Sequence, residues 1–183
     1  HKPEWAAAIV VDVKTGDLLA AGALPDFDPN HLGDSPSDSL PLFWPLEPGS
    51  TCKPFVIGAA LAKGAIRATD QFDGEGGVWK IRNPPIRNSR GVPGGLLDAR
   101  GILAWSSNIG VGKVGLKLGG TGLEEAFDRF GFWGPTGFGS PEPPPGHRPS
   151  PKEWEDRVWT LPSVSMGHQL SLTPFRLAYA YAS

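Results

Sequence analysis

Residues 47–55 read EPGSTCKPF, and VIGAALAKG follows at 56–64. A helix leaves its first four N–H groups without intrahelical partners. Proline loses nothing there, and its fixed φ suits the first turn. Pro54 therefore predicts a helix that starts close to Ser50, and Lys63-Gly64 predicts its end. Residues three apart share a helix face, so Lys53 lies beside Ser50. A serine hydroxyl is a weak nucleophile until something takes its proton. A neutral lysine amine can take it, if burial or a neighbouring cation lowers the lysine pKa. The positive end of the helix favours an alkoxide and disfavours an ammonium. The Ser50 N–H also stands where it could donate to a developing oxyanion. A second reading is open: Ser50 is only an N-cap and Lys53 a solvated first-turn residue.

Downstream, Ser106-Ser107-Asn108 sits at the end of a predicted helix over 99–107, which Asp98 would cap. Ser106 and Asn108 are two apart and could point into one pocket from a turn. The hydroxyl could relay a proton and the amide could hold a substrate carbonyl. The plain alternative is a helix C-terminus with polar caps.

Around these two segments the chain reads as strands, helices and long loops. Residues 5–13 and 18–24 are short apolar runs separated by KTGD turn chemistry at 14–17, which predicts a β-hairpin buried on at least one side. Pro, Asp and Ser punctuation makes 25–41 a surface loop, and 77–95 reads as loop or short irregular strand. Apolar spacing predicts helices over 108–120 and 121–133, the second with Thr121 and Glu124 in capping-box spacing. A proline-rich connection covers 139–156. A last helix opens at 171–183, with Thr173 as N-cap and Pro174 at the first helical position.

The bulk numbers fit one folded, loop-rich domain. The chain has 183 residues, 39% hydrophobic and 20% charged, enough for a real core. The 25 glycines and 20 prolines reach toward low complexity, but seven Trp and nine Phe exclude wholesale disorder. A net charge of −2 gives no footprint for nucleic acid or an anionic membrane. The single cysteine, Cys52, excludes an intrachain disulfide. No apolar run is long enough to span a bilayer, and no signal peptide is visible. The chain begins at His1, and its one methionine is Met166. We read it as an incomplete piece of a longer protein.

Together, EPGSTCKPF and WSSN resemble the transpeptidase domain of penicillin-binding proteins, whose signature motifs are SxxK, SxN and KTG. The likeness runs through AIVVDVKTGDLLAAGALPDFDPN, similar to the family's strand-turn-strand opening, and SMGHQLSLTPFRLAYAYAS, similar to the segment before the third motif. ALPDFDPN and LEPGST look like the class B, monofunctional members. The resemblance implies an α/β (α+β) penicillin-binding/β-lactamase-like fold, present here over 1–183 as one truncated transpeptidase domain: an N-terminal hairpin and a helical half. It implies Ser50 as nucleophile on a D-Ala-D-Ala stem peptide of peptidoglycan and Lys53 as general base. Ser106 would be the proton relay, and Asn108 would bind substrate and Lys53. β-Lactams would acylate the same serine, cell-wall synthesis machinery would be the partner, and no metal or organic cofactor is implied. The domain would work on the outer face of the bacterial inner membrane, with an anchor outside this chain.

No Lys-Thr-Gly follows the 171–183 segment, and the KTG at Lys14-Thr15-Gly16 falls in the first hairpin turn, where the family has a structural turn. The missing strands would supply one side of the cleft and the second oxyanion N–H. Cys52 stands where the family often has Phe, and Gly167-His168-Gln169 where it often has GxG. The same-class alternatives are a D,D-carboxypeptidase and a class D β-lactamase. A non-catalytic β-lactam sensor or assembly scaffold is the alternative of another class.

Other residues attract less. Cys52 reads as a buried small side chain before a reactive thiol. His1, His31, His147 and His168 lack metal-ligand spacing. Lys80, Arg82, Arg87 and Arg90 read as a solvated face before a contact to anionic wall polymer. PEPPPGHRP reads as a lengthened loop before a polyproline ligand.

Overall fold

The computed structural model of the chain describes residues 4–24, 41–135 and 145–183. They form two compact units. The expected loop over 25–41 lies outside the described residues except for Pro41. So do 136–144, with much of the expected proline-rich connection.

The first unit comprises His1–Leu46, Asp128–Arg148 and Ser171–Ser183. Its hairpin pairs β1 (Ala6–Val11) with β2 (Leu18–Leu24), antiparallel, with an irregularity between Val10 and Val11. Asp12 closes the turn by accepting from the N–H of Lys14 at 2.7 Å and of Thr15 at 3.3 Å. The expected buried side is only half covered. Ala7, Ile9 and Val11 are intermediate while Ala8 and Val10 are exposed, so period 2 is kept with shallow burial. The last helix (Pro174–Ala182) opens as expected. Thr173 caps it by accepting from Arg176 N–H at 3.3 Å, and Pro174 sits in its first turn.

The second unit, Glu47–Phe127 with Pro149–Leu170, carries the residues of interest. Its first helix forms in two parts: a 3-10 turn over Gly49–Cys52, then α1 over Lys53–Ala62 with Pro54 in its first turn. Its apolar face buries Phe55, Val56, Ile57, Ala59 and Ala60. The larger of these contribute about 1.5–3 kcal/mol each on burial, which offsets drawing Lys53 inside with them. The helix stops at Gly64, as predicted. Gly64 takes φ +67, its N–H donates to Leu61 O at 3.0 Å, and Ala65 N–H donates to Ala60 O at 2.9 Å. This pair of bonds is the Schellman stop.

Residues 72–97 contribute four two-residue strands: β3 (Phe72–Asp73), β4 (Val78–Trp79), β5 (Ile86–Arg87) and β6 (Leu96–Leu97). β3 pairs with β6 and β4 with β5, both antiparallel. Asp98 caps α2 (Ala99–Ala104), accepting from Gly101 N–H at 2.7 Å. The two helices expected over 108–133 are both present in the run Asn108–Arg129, labelled α3 as a whole, and they meet at a kink at Gly119 with φ 78 and ψ 169. The break precedes Thr121, which lies inside the helical run. Its hydroxyl makes no hydrogen bond among the described residues, so the expected capping box is not formed. The glycines of α3 allow close approach. A Cβ at Gly115 would lie 1.8 Å from Ser165 Oγ of α4 (Thr160–Ser165), and one at Gly120 would lie 2.0 Å from Trp154 O. The Pro174–Ala182 helix of the first unit is α5.

Candidate active site

Side chains at i and i+3 eclipse one another in a 3-10 turn. Lys53 N–H donates to Ser50 O, so that turn spans the two residues and places them on one face. The N-cap reading of Ser50 fails. Pro48 and Cys52 occupy the cap positions, neither with a side-chain cap bond, and Ser50 lies inside the turn. Ser50 is exposed, and its hydroxyl has no hydrogen-bond partner among the described residues. The solvated reading of Lys53 fails too, because the residue is 1% exposed.

Lys53 is held from across the chain. Its Nζ donates to Ser106 O at 2.7 Å, Ser106 Oγ at 2.9 Å and Asn108 Oδ1 at 2.7 Å. Burial pulls its pKa down from 10.5 to about 8. Three donors on three acceptors describe an ammonium. When Nζ is neutral it holds one lone pair. Of the three partners only the Ser106 hydroxyl can reverse and donate to it, because a carbonyl and an amide oxygen carry no proton. A proton path between Lys53 Nζ and Ser106 Oγ is therefore built into the donor set.

The Ser-Ser-Asn segment is the joint between α2 and α3. Ser106 N–H donates to Leu103 O at 3.1 Å and Ser107 N–H to Ile102 O at 2.9 Å, a second Schellman stop. Ser106 fills its left-handed position at φ +54. Ser107 then caps α3, its Oγ accepting from Gly110 N–H at 3.0 Å. Asn108 begins α3, and its Nδ2 donates to Arg87 O at 2.9 Å, which fixes the amide with Oδ1 toward Lys53. The bland description of this segment as a capped helix end is correct. It is also the reason that Ser106 and Asn108 face one amine.

Residues 6–183 match the family described as the Penicillin binding protein transpeptidase domain. The chain belongs to that family. Among its relatives, the peptidoglycan D,D-transpeptidase FtsI of Escherichia coli strain K12 is 31% identical over 186 residues, covering 100% of this chain and 31% of the relative. A probable peptidoglycan D,D-transpeptidase, PbpC of Pseudomonas aeruginosa, is 32% identical over 179 residues, covering 96% and 31%. The apo transpeptidase domain of Burkholderia pseudomallei penicillin-binding protein 3 superposes with TM-score 0.79 at 26% identity, covering 97% of this chain and 49% of that one. The chain thus spans about a third of the length of these curated relatives. The α+β fold of the penicillin-binding transpeptidases, expected from the motifs, is confirmed by these neighbours.

Three further residues around this candidate site were not legible in the sequence. Asn88 Oδ1 accepts from Ile109 N–H at 3.1 Å and from Ser107 Oγ at 3.2 Å, so a loop residue caps the start of α3. Arg87 contributes its backbone carbonyl, not its charge. Glu47 binds His168 Nδ1 at 2.8 Å and Gln169 N–H at 2.8 Å. Nothing local marks any of them, since each partner lies at least 19 residues away. Of the basic residues in 80–90, Arg82 is no solvated group. It donates to Trp159 O at 3.0 Å and Ser163 Oγ at 2.7 Å, with its guanidinium 4.7 Å from the Trp159 ring. Cys52 is fully buried, and burial pushes its thiol pKa up, as the packing reading required. No metal-binding cluster occurs among the described residues, and no described helix is long and apolar enough to cross a membrane.

Proposed function

We propose that the protein carrying this chain is a serine D,D-transpeptidase of cell-wall synthesis, working through an acyl-enzyme on Ser50. One observation carries the reading. Lys53 is buried, its pKa pulled down to about 8, and it is held by Ser106 and Asn108 one turn from a free, exposed Ser50 hydroxyl. The D,D-transpeptidase relatives support the substrate class.

In this mechanism neutral Lys53 takes the Ser50 proton as Oγ attacks the carbonyl of the penultimate D-Ala. The Ser50 N–H, in a turn whose first donors lack intrahelical partners, stabilises the oxyanion. Collapse breaks the peptide bond. The leaving D-Ala amine takes its proton from Ser106 Oγ–H, which is refilled from Lys53 Nζ. The acceptor amine of a neighbouring stem then loses a proton along the same path and attacks the ester, and Ser50 leaves as the free hydroxyl. Asn108, its amide fixed by Arg87 O, keeps Lys53 oriented and can meet the substrate backbone. A β-lactam enters as the acyl donor and remains on Ser50. In this reading the domain lies outside the bacterial inner membrane, with stem peptides and the wall-synthesis machinery as partners.

The test is covalent labelling of the full-length protein by a fluorescent penicillin, read on a gel and by intact mass beside Ser50→Ala. Label in the wild type and none in Ser50→Ala is the expected result. A folded wild type that takes no label would favour the non-catalytic scaffold.

A further inference from the structure

Beside Ser50 runs a second turn whose conformation is costly. Gly167 takes φ +83 and Gln169 φ +59, so two left-handed residues flank His168, and one of them is not glycine. A side chain in that region is disfavoured by contact between its Cβ and the backbone. The turn also presses on the backbone that leads into the nucleophile. Gly49 N–H donates to Gly167 O at 3.0 Å. A Cβ on Gly167 would lie 2.0 Å from Gly49 O, which leaves no room for any other residue.

Glu47 bridges the two turns. Its Oε1 accepts from Gln169 N–H at 2.8 Å, and its Oε2 meets His168 Nδ1 at 2.8 Å. Partial burial pushes its carboxyl pKa up. The hydrogen bonds from His168 and Gln169, with the His168 charge, outweigh that and hold it below its ordinary value. The two contacts do different work. Glu47 and His168 side chains are about half exposed, at 52% and 53%, so water screens their ion pair. The bond to Gln169 N–H is charge-assisted and fixes the backbone at the residue that pays for its conformation.

We propose that Glu47 is a positioning residue for Ser50: it clamps the Gly167–Gln169 turn against Gly49 and so sets the orientation of the nucleophile's backbone. The proposal rests on the acyl-enzyme reading for its effect on rate, but not for its structural content. Removing the carboxylate frees the Gln169 N–H, lets that residue relax from its left-handed conformation, and loosens the Gly49–Gly167 bond one residue before Ser50.

The test compares full-length wild type with Glu47→Ala, Glu47→Gln, Gln169→Gly and the double variant Glu47→Ala/Gln169→Gly. Second-order acylation by a fluorescent penicillin is measured alongside backbone hydrogen exchange in peptides covering 47–52 and 166–170. Glu47→Ala is expected to slow acylation by about tenfold or more, because a displaced reacting group is costly, and to raise exchange at both peptides. Glu47→Gln keeps an oxygen for Gln169 N–H and should retain most of the rate. Glycine adopts the left-handed turn without help, so Gln169→Gly should rescue much of the Glu47→Ala defect. A general loss of stability would not be repaired by that one change. Acylation and exchange unchanged in Glu47→Ala would overturn the proposal, as would the absence of any rescue. If the wild type is never acylated, the reading of Ser50 fails. The exchange data then still judge the clamp.

Discussion

Two helices in this protein stop in the same way and do different things at the stop. α1 ends at Gly64, exposed, with φ +67 and the paired bonds to Leu61 O and Ala60 O. α2 ends at Ser106, with φ +54 and the equivalent bonds to Leu103 O and Ile102 O. The backbone is the same motif twice. At the first stop the residue is the one that the conformation prefers. At the second a serine accepts about 1–2 kcal/mol of left-handed strain. What it gains there is the contact of both its carbonyl and its hydroxyl with Lys53 Nζ, at 2.7 and 2.9 Å. In the acyl-enzyme reading proposed above, strain is tolerated in the one of the two matching turns that would serve chemistry.

The comparison can be broken most severely at Lys53. Lys53→Met keeps the helix and its burial but removes the amine that Ser106 is strained to meet. Acylation by a β-lactam should fall by about 10² to 10⁴, the range for a lost general base. A Lys53→Met protein that acylates at the wild-type rate would leave the Ser106 strain without a purpose. A smaller effect comes from pH. Because the Lys53 pKa is pulled down to about 8, the neutral amine forms as pH rises through that value. The acylation rate should climb roughly tenfold from pH 7 to pH 9 and then level off. A midpoint near 10.5, the ordinary lysine value, would mean that Lys53 is solvated in the full-length protein. The smallest effect sharpens the comparison directly. Ser106→Ala and Ser106→Gly both lose the hydroxyl and should acylate equally slowly. The glycine variant should be the more stable by about 1 kcal/mol, or roughly 2–4 °C in melting temperature for a domain of this size. Gly64→Ala should lose stability by a similar amount, about 1 kcal/mol, and leave acylation untouched. Equal stability of the two Ser106 variants would show that the turn carries no strain.

What was legible in the sequence follows the range of the interaction. Pro54, Lys63-Gly64, Asp98 and Thr173-Pro174 mark helix ends through bonds to residues within a turn or so, and each end was found where expected. Thr121 obeyed the same local rule and misled, because the chain had already broken and resumed its helix at Gly119. Ser50, Lys53, Ser106 and Asn108 were singled out through two short motifs, and the structure brings Lys53, Ser106 and Asn108 into contact. Lys53 in contact with Ser106 and Asn108 spans 53 and 55 residues of sequence, so no spacing rule could have joined them. The left-handed state of Ser106 was hidden because the usual sign, a glycine, is missing. Asn88 and Glu47 were hidden for a further reason. Each is an ordinary polar residue in a loop, and only its distant partner gives it a role.

Cys52, two residues after Ser50, is fully buried while Ser50 is exposed. Successive residues of a 3-10 turn point about 120° apart, so one short turn faces two nucleophilic atoms toward different surroundings. An electrophile arriving from water meets the oxygen and not the sulfur, although sulfur is the better nucleophile in free solution. The one cysteine of this chain is thus kept from acting as a reactive thiol. A probe cysteine placed at an exposed position of this chain would be alkylated in preference to Cys52, so spectroscopic labels can be attached beside the candidate site with Cys52 left in place.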